Sequence, residues 1–123
     1  MTIRRFEDIE SWRMARQLSK EIYALSGSGR FCRDLGLKDQ IRKAAGSIMH
    51  NIAEGFDSGS NVDFARFLRY AQRSATEVHS ELYVALDQGY LTEEQFVALA
   101  EIIRVIKSRI GGLIVYLRKC HPR

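Results

Sequence analysis

Proline is almost missing from this chain. The one proline, Pro122, lies at the C-terminal edge of 123 residues, so no pyrrolidine ring interrupts the interior and long helices are permitted throughout. Cysteine is nearly as scarce: Cys32 and Cys120 stand far apart with no CxxC pairing, which argues against a zinc site and a disulfide framework. A reduced, cytoplasmic setting is the expectation. Long apolar runs are also lacking. The longest apolar region, Ile102 to Leu117, is broken by Arg104, Lys107 and Arg109, which excludes a membrane span, and MTIRRFEDIE at the N-terminus lacks the apolar stretch of a signal peptide. A soluble chain with one domain over residues 1–123 is expected. A domain of this size buries roughly two thirds of its unfolded surface without help from a metal or cross-link.

What is present is helical periodicity. Leu37, Ile41, Ala45, Ile48 and Ile52 recur at spacings of three and four, which places them on one helix face; Gln40, Ala44, Ser47, Asn51 and Glu54 form a second row beside them. The first row suits a core. The second must find hydrogen-bonding partners, because buried polar groups left unpaired are costly.

Four helices follow. The first runs from about Asp8 to Leu25, with Glu7, Asp8 and Glu10 where negative charge suits the helix dipole, and SGSGR ends it. The second spans about Gly36 to Glu54, with Gly55 as its C-terminal stop and DSGS as the next turn. The third, about Asn61 to Gln88, opens on Ser60 and carries the unbroken heptad row Phe64, Leu68, Ala71, Ala75, Val78, Leu82, Ala85. Gly89 closes it. Thr92 and Gln95 form a capping box that opens the fourth, which turns Leu99, Ile102, Ile106, Leu113 and Leu117 inward. The fold class is all-α, an antiparallel up-down-up-down four-helix bundle. Ile103, Val105, Ile110, Ile114 and Val115 widen the apolar surface of the fourth helix beyond one stripe, so part of it is expected to be covered by another copy of the chain. Gly111 and Gly112 in mid-helix suggest a close backbone approach there.

QIRKAAGSIMHNIAEG, residues 40 to 55, resembles the signature of the four-helix-bundle family called 23S rRNA intervening sequence proteins. The resemblance extends to FEDIESWRMA at residues 6 to 15, FARFLRYAQRSATEVHSEL at residues 64 to 82, and GYLTEE at residues 89 to 94. It implies a bundle with left-handed twist and assembly as a ring-like homopentamer. A similar bundle is the accessory protein of diversity-generating retroelements, where a basic pentamer binds nucleic acid beside a reverse transcriptase. RNA or DNA, a reverse transcriptase and a ribosomal component are the partner classes so implied. Two departures stand out: Met49 occupies a position where many members have proline, and Arg73 one where many have glycine.

Three groups of residues are candidates for function. Counting outward from the turn near Ser58 sets Ser47 across from Tyr70, Asn51 near Arg66, and Gln40 near Glu77, so that Gln40, Ser47, Asn51 and Glu54 meet the row Tyr70, Ser74, Glu77 and Glu81 as a polar seam fixing helix register. A catalytic reading needs a nucleophile or a tuned base; His50 and Glu54 could share a proton, but no cysteine or second histidine lies at a useful spacing. No Glu-x-x-His motif is present, so neither a metal site nor a cofactor is expected, and the chain reads as a non-enzyme.

Charge is the third candidate. The formal balance is +4, yet from Ile102 onward Arg104, Lys107, Arg109, Arg118, Lys119 and Arg123 meet no acidic residue. In an up-down bundle Arg66, Arg69 and Arg73 add to the same pole, which also receives Glu7, Asp8, Glu10, Glu54, Asp57 and Asp63. The C-terminal cluster left unpaired would, repeated around a ring of subunits, form a positive surface suited to phosphate backbones. At the other pole Arg13, Arg16, Lys20, Lys38, Arg42 and Lys43 are expected to face Glu77, Glu81, Asp87, Glu93 and Glu94. Phe64, Phe67 and Tyr70 sit at core-type spacing, so backbone contact rather than base recognition is the expectation. The competing reading is a protein-protein scaffold whose charges serve only assembly.

Overall fold

In the computed structural model, which describes residues 3–119, a single 3-10 turn at Phe6–Asp8 leads into helix α1 (Glu10–Ser26). A second 3-10 turn at Phe31–Arg33 precedes α2 (Leu35–Asp57), and α3 (Asn61–Asp87) and α4 (Glu93–Lys119) complete the bundle. Each helix packs on its sequence neighbour and α1 closes onto α4, which gives the expected up-down-up-down arrangement.

The helix starts are built by local side chains. Asp34 accepts from the Leu37 amide at 3.2 Å and Ser60 from the Asp63 amide at 3.1 Å. Thr92 and Gln95 exchange reciprocal bonds of 2.9 and 3.1 Å, the capping box read from the sequence. Helix α1 starts later than expected. Asp8 accepts from the amides of Arg4 and Arg5, which hold its carboxyl below the ordinary range, and this stabilises a tight turn before the helix begins.

The heptad row of α3 and the apolar row of α2 are buried throughout. Helix α4 departs from expectation: Ile103 and Ile110 are wholly buried and Ile114 nearly so, while Ile102 is only half-buried. Most of the apolar excess is therefore absorbed by the chain's own core. Val97, Val115 and Tyr116 remain outside.

Gly55 does not end α2. The helix continues to Asp57, and Gly55 is buried within it because a Cβ there would lie 2.7 Å from the Phe67 Cβ and 3.0 Å from the Phe64 ring. The missing side chain lets α3 approach. Gly89, with φ of +76°, does close α3. A Cβ on Gly111 would meet only the Gln72 side-chain amide, at 3.4 Å, and one on Gly112 would meet nothing within 4 Å, so no close backbone approach accounts for either glycine.

One pole of the bundle is clamped by its loops. Tyr90 stacks on Phe31 at 5.1 Å, donates to Asp34 at 3.0 Å, and lies under the Arg30 guanidinium, tying the α3–α4 turn to the α1–α2 turn.

Candidate nucleic-acid interface

Between α3 and α4 lies an open cleft of about 340 Å³ lined by Arg69, Gln72, Arg73, Thr76 and Lys107. Its polar groups are ordered by one another. Gln72 donates to the Lys107 carbonyl at 3.2 Å, and the Lys107 ammonium donates to the Thr76 hydroxyl at 2.8 Å. The ammonium's acceptor is neutral, so the side chain is positioned without an ion pair. Among the described residues, no carboxylate lies within ion-pair distance of Arg69, Arg73 or Lys107.

The other basic candidates are arranged differently. Arg104 makes bonds of 2.6, 3.0 and 3.2 Å to Glu101, holding that carboxyl below the ordinary carboxylate range. Arg109 reaches Glu10 on α1 at 3.3 Å. Arg66 pairs with Asp63 at 3.2 Å, and its guanidinium is raised above its usual value first by the Tyr70 hydroxyl, against a smaller opposing effect of burial, and then by Asp63. Arg118 and Lys119 are exposed in the last turn of α4, where cations complement the helix dipole.

The basic residues expected at one pole are thus divided, and two of the acids expected there, Asp63 and Glu10, pair with Arg66 and Arg109. Lys107 and Arg109 are two residues apart on a helix of 3.6 residues per turn, so Lys107 faces α3 and Arg109 faces α1. Only Lys107 joins the arginines of α3 in one cleft. The acid that quenches Arg104 lies a single residue before the stretch counted as free of acids.

The opposite pole is also rearranged. Lys43 pairs with Asp39 one turn away, and Arg13 donates to the Glu7 carbonyl. Arg42 donates to the Ser26 hydroxyl at 2.8 Å and the Tyr23 carbonyl at 3.2 Å while lying 4.3 Å over the Tyr23 ring, which fastens the end of α1 to α2. Among the described residues, none of these cations pairs with Glu77, Glu81, Asp87, Glu93 or Glu94. The expected ion pairs across helices give way to one local pair, Lys43–Asp39, worth at most about 1 kcal/mol on an exposed surface, and to bonds with neutral carbonyl and hydroxyl groups.

The seam between α2 and α3 is real but smaller and differently registered. Ser74 donates to Ser47 at 2.9 Å, where Tyr70 was expected, a shift of one helical turn. Asn51 turns back to the Ser47 carbonyl and hydroxyl at 2.8 and 3.0 Å instead of reaching Arg66. Gln40, Glu54 and Glu77 are exposed. The His50 ring lies beside Gly46 and, among the described residues, makes no hydrogen bond to Glu54. One member of the row was overlooked as a chemical oddity. Glu81 has a buried Oε1 with no hydrogen-bond partner, and desolvation, followed by repulsion from Glu77, pushes its carboxyl up to about 7.

The aromatic residues of α3 divide as well. Phe64 is buried as the spacing predicts, but Phe67 is half-buried and Tyr70 is 36% exposed. Arg66 lies 5.2 Å over Phe67 and Arg73 lies 5.7 Å over Tyr70. Among the described residues, no cluster of histidine, cysteine and carboxylate side chains could hold a metal ion, and no helix is long and apolar enough to cross a membrane.

A family model described as 23S rRNA-intervening sequence protein matches residues 7–112. A crystal structure of a protein of unknown function from the S23 ribosomal protein family of Bacteroides thetaiotaomicron VPI-5482 superposes with a TM-score of 0.77 at 21% identity, covering 85% of this chain and 97% of that one. That likeness supports the fold. No curated protein matches.

Proposed function

The chain belongs to the 23S rRNA-intervening sequence protein family, and from that premise we propose that it is a non-enzymatic helical-bundle protein that binds the phosphate backbone of RNA or DNA, alone or beside a nucleic-acid-handling partner such as a reverse transcriptase or a ribosomal component. The observation that carries this reading is the α3/α4 cleft, where Arg69, Arg73 and Lys107 converge without an acidic partner among the described residues. Lys107 is held by the neutral Thr76 hydroxyl, so no carboxylate competes there with an incoming anion. Arg118 and Lys119 extend the same sign along α4, and the paired Arg66, Arg104 and Arg109 are secondary contributors. Repetition of the cleft around a homo-oligomer, a pentamer in the first instance, would broaden the surface and raise its field.

Binding of this kind releases counterions, so affinity falls linearly on a log-log scale with salt. Fluorescence anisotropy with labelled RNA and DNA between about 50 and 200 mM salt is the test. Replacing Arg69, Arg73 and Lys107 together by glutamine should weaken binding for every sequence and lower the salt slope by about 2 to 3, roughly one per lost phosphate contact. No binding to either nucleic acid at low salt would remove the reading. A scaffold without nucleic-acid binding is the second reading, favoured by Val97 and Val115, which are 64% and 48% exposed on α4. Light scattering separates it: assembly without heparin retention is its signature.

A further inference from the structure

Beside the cation-lined cleft, α3 presents an aromatic surface that phosphate binding alone does not require. Tyr70 is 36% exposed and lies one turn from both Arg66 and Arg73. Its ring meets Phe67 edge-on, with centroids 6.0 Å apart and planes at 89°. Phe67 in turn is seated against α2, where the absence of a side chain at Gly55 leaves room for its Cβ. The Arg66 and Arg73 guanidinium groups lie over the Phe67 and Tyr70 rings at 5.2 and 5.7 Å. Rings and guanidinium planes are thus held in place before any ligand arrives, which lowers the ordering cost of binding.

We infer that Tyr70, braced by Phe67 and flanked by Arg66 and Arg73, is a stacking platform for unpaired bases, so that the favoured ligand is single-stranded nucleic acid rather than a duplex. The inference rests on the proposed backbone binding and specifies its substrate class. The chemistry has two parts. Arg73 belongs both to the platform and to the α3/α4 cleft, so a strand whose phosphates follow Arg69, Arg73 and Lys107 passes beside the Tyr70 ring. Unpaired bases carry π-faces that stack on aromatic rings and on arginine planes, whereas the bases of a duplex already stack on one another and cannot reach a ring on a convex helix. Recognition would be tolerant of sequence, because every base has such a face.

The test compares Tyr70→Leu and Tyr70→Trp with the unaltered chain in anisotropy titrations against an unstructured single-stranded RNA, its DNA counterpart and a duplex, at fixed low salt. Tyr70→Leu should lose about 5- to 150-fold in single-strand affinity, the range for one stacked base, while duplex affinity and heparin retention change less than about twofold. Tyr70→Trp should keep single-strand affinity, and its added indole should be quenched on binding beyond the Trp12 background. Thermal melts of each variant exclude a folding defect. Unchanged single-strand affinity of folded Tyr70→Leu, or equal losses on single strand and duplex, would overturn the platform and leave backbone binding intact. No binding of the unaltered chain to any of the three ligands would overturn both. Equal losses on RNA and DNA identify stacking alone; a larger loss on RNA adds the 2′-hydroxyl to the contacts.

Discussion

Beside the shared apolar core, helix α3 meets α2 at a glycine and a serine pair and bridges to α4 through long polar side chains, and the two flanks behave differently. Toward α2, Gly55 admits Phe64 and Phe67, and Ser47, Asn51 and Ser74 satisfy one another without any charge. Toward α4, Gln72, Thr76 and Lys107 bridge a cleft that stays open, with arginines along its wall. Close approach consumes hydrogen-bonding capacity and leaves nothing for a ligand. Wider spacing, held by flexible side chains, leaves cations available. The candidate interface therefore lies on the loose flank, although the more distinctive sequence lies on the tight one.

The sharpest way to break this contrast is at Gly55. Gly55→Val places atoms where Phe67 already stands, so the helices must separate, at a cost on the order of 3 kcal/mol that a chemical denaturation curve would reveal. A loss below about 1 kcal/mol would mean that the α2–α3 contact is as yielding as the α3–α4 cleft.

The serine seam gives a smaller effect with a distinctive pattern. Ser47→Ala leaves the buried Ser74 hydroxyl and the Asn51 amide without their shared acceptor, and about 1–3 kcal/mol should be lost. Removing both hydroxyls, as Ser47→Ala with Ser74→Ala, should cost less than the sum of the single changes. Additivity in that cycle would count against a coupled seam.

Glu81 adds a pH dependence to the tight flank. Its folded carboxyl is raised to about 7 from an ordinary 4.5, so between these values the native chain holds more protons than the unfolded one. Stability should therefore fall as pH rises through this window and level off above it. Glu81→Gln should flatten that fall and raise the melting temperature at alkaline pH. A variant with the same pH profile as the parent would show that solvent reaches the carboxyl more freely than its buried Oε1 indicates.

The smallest effect is expected at Glu54, part of the polar row in sequence but exposed in the fold. Glu54→Ala should shift stability by less than about 0.5 kcal/mol in a melt. A larger loss would place Glu54 in the seam after all.

Much of the fold was legible because its signals are local. The α3 heptads, the α2 apolar row and the Thr92–Gln95 capping box each depend on residues within a few turns of one another, and all stand where their spacing put them. The register was not. Taking the turn near Ser58 as the centre set Ser47 against Tyr70, whereas α2 continues through Gly55 to Asp57 and brings Ser74 there instead. A glycine that terminates a helix and one that admits a neighbour look alike in a string of letters. Tyr70 and Phe67 depart from the core face for a geometric reason: each step of three residues falls about 60° short of a full turn, so Phe64 lies inside, Phe67 at the edge and Tyr70 outside.

The sequence by itself determined that this chain forms four antiparallel helices, where most of them begin, and which family it joins, because helix formation and capping are governed by contacts at three and four residues' distance. Arg104 is quenched by a neighbour on its own helix. Which of the remaining cations are available was decided by tertiary structure: Arg109 is quenched by Glu10 at the far end of the chain, while Lys107, two residues before Arg109, turns the other way into the cleft with Arg69 and Arg73. Net charge is additive along a sequence; the field it presents depends on which helix each side chain faces.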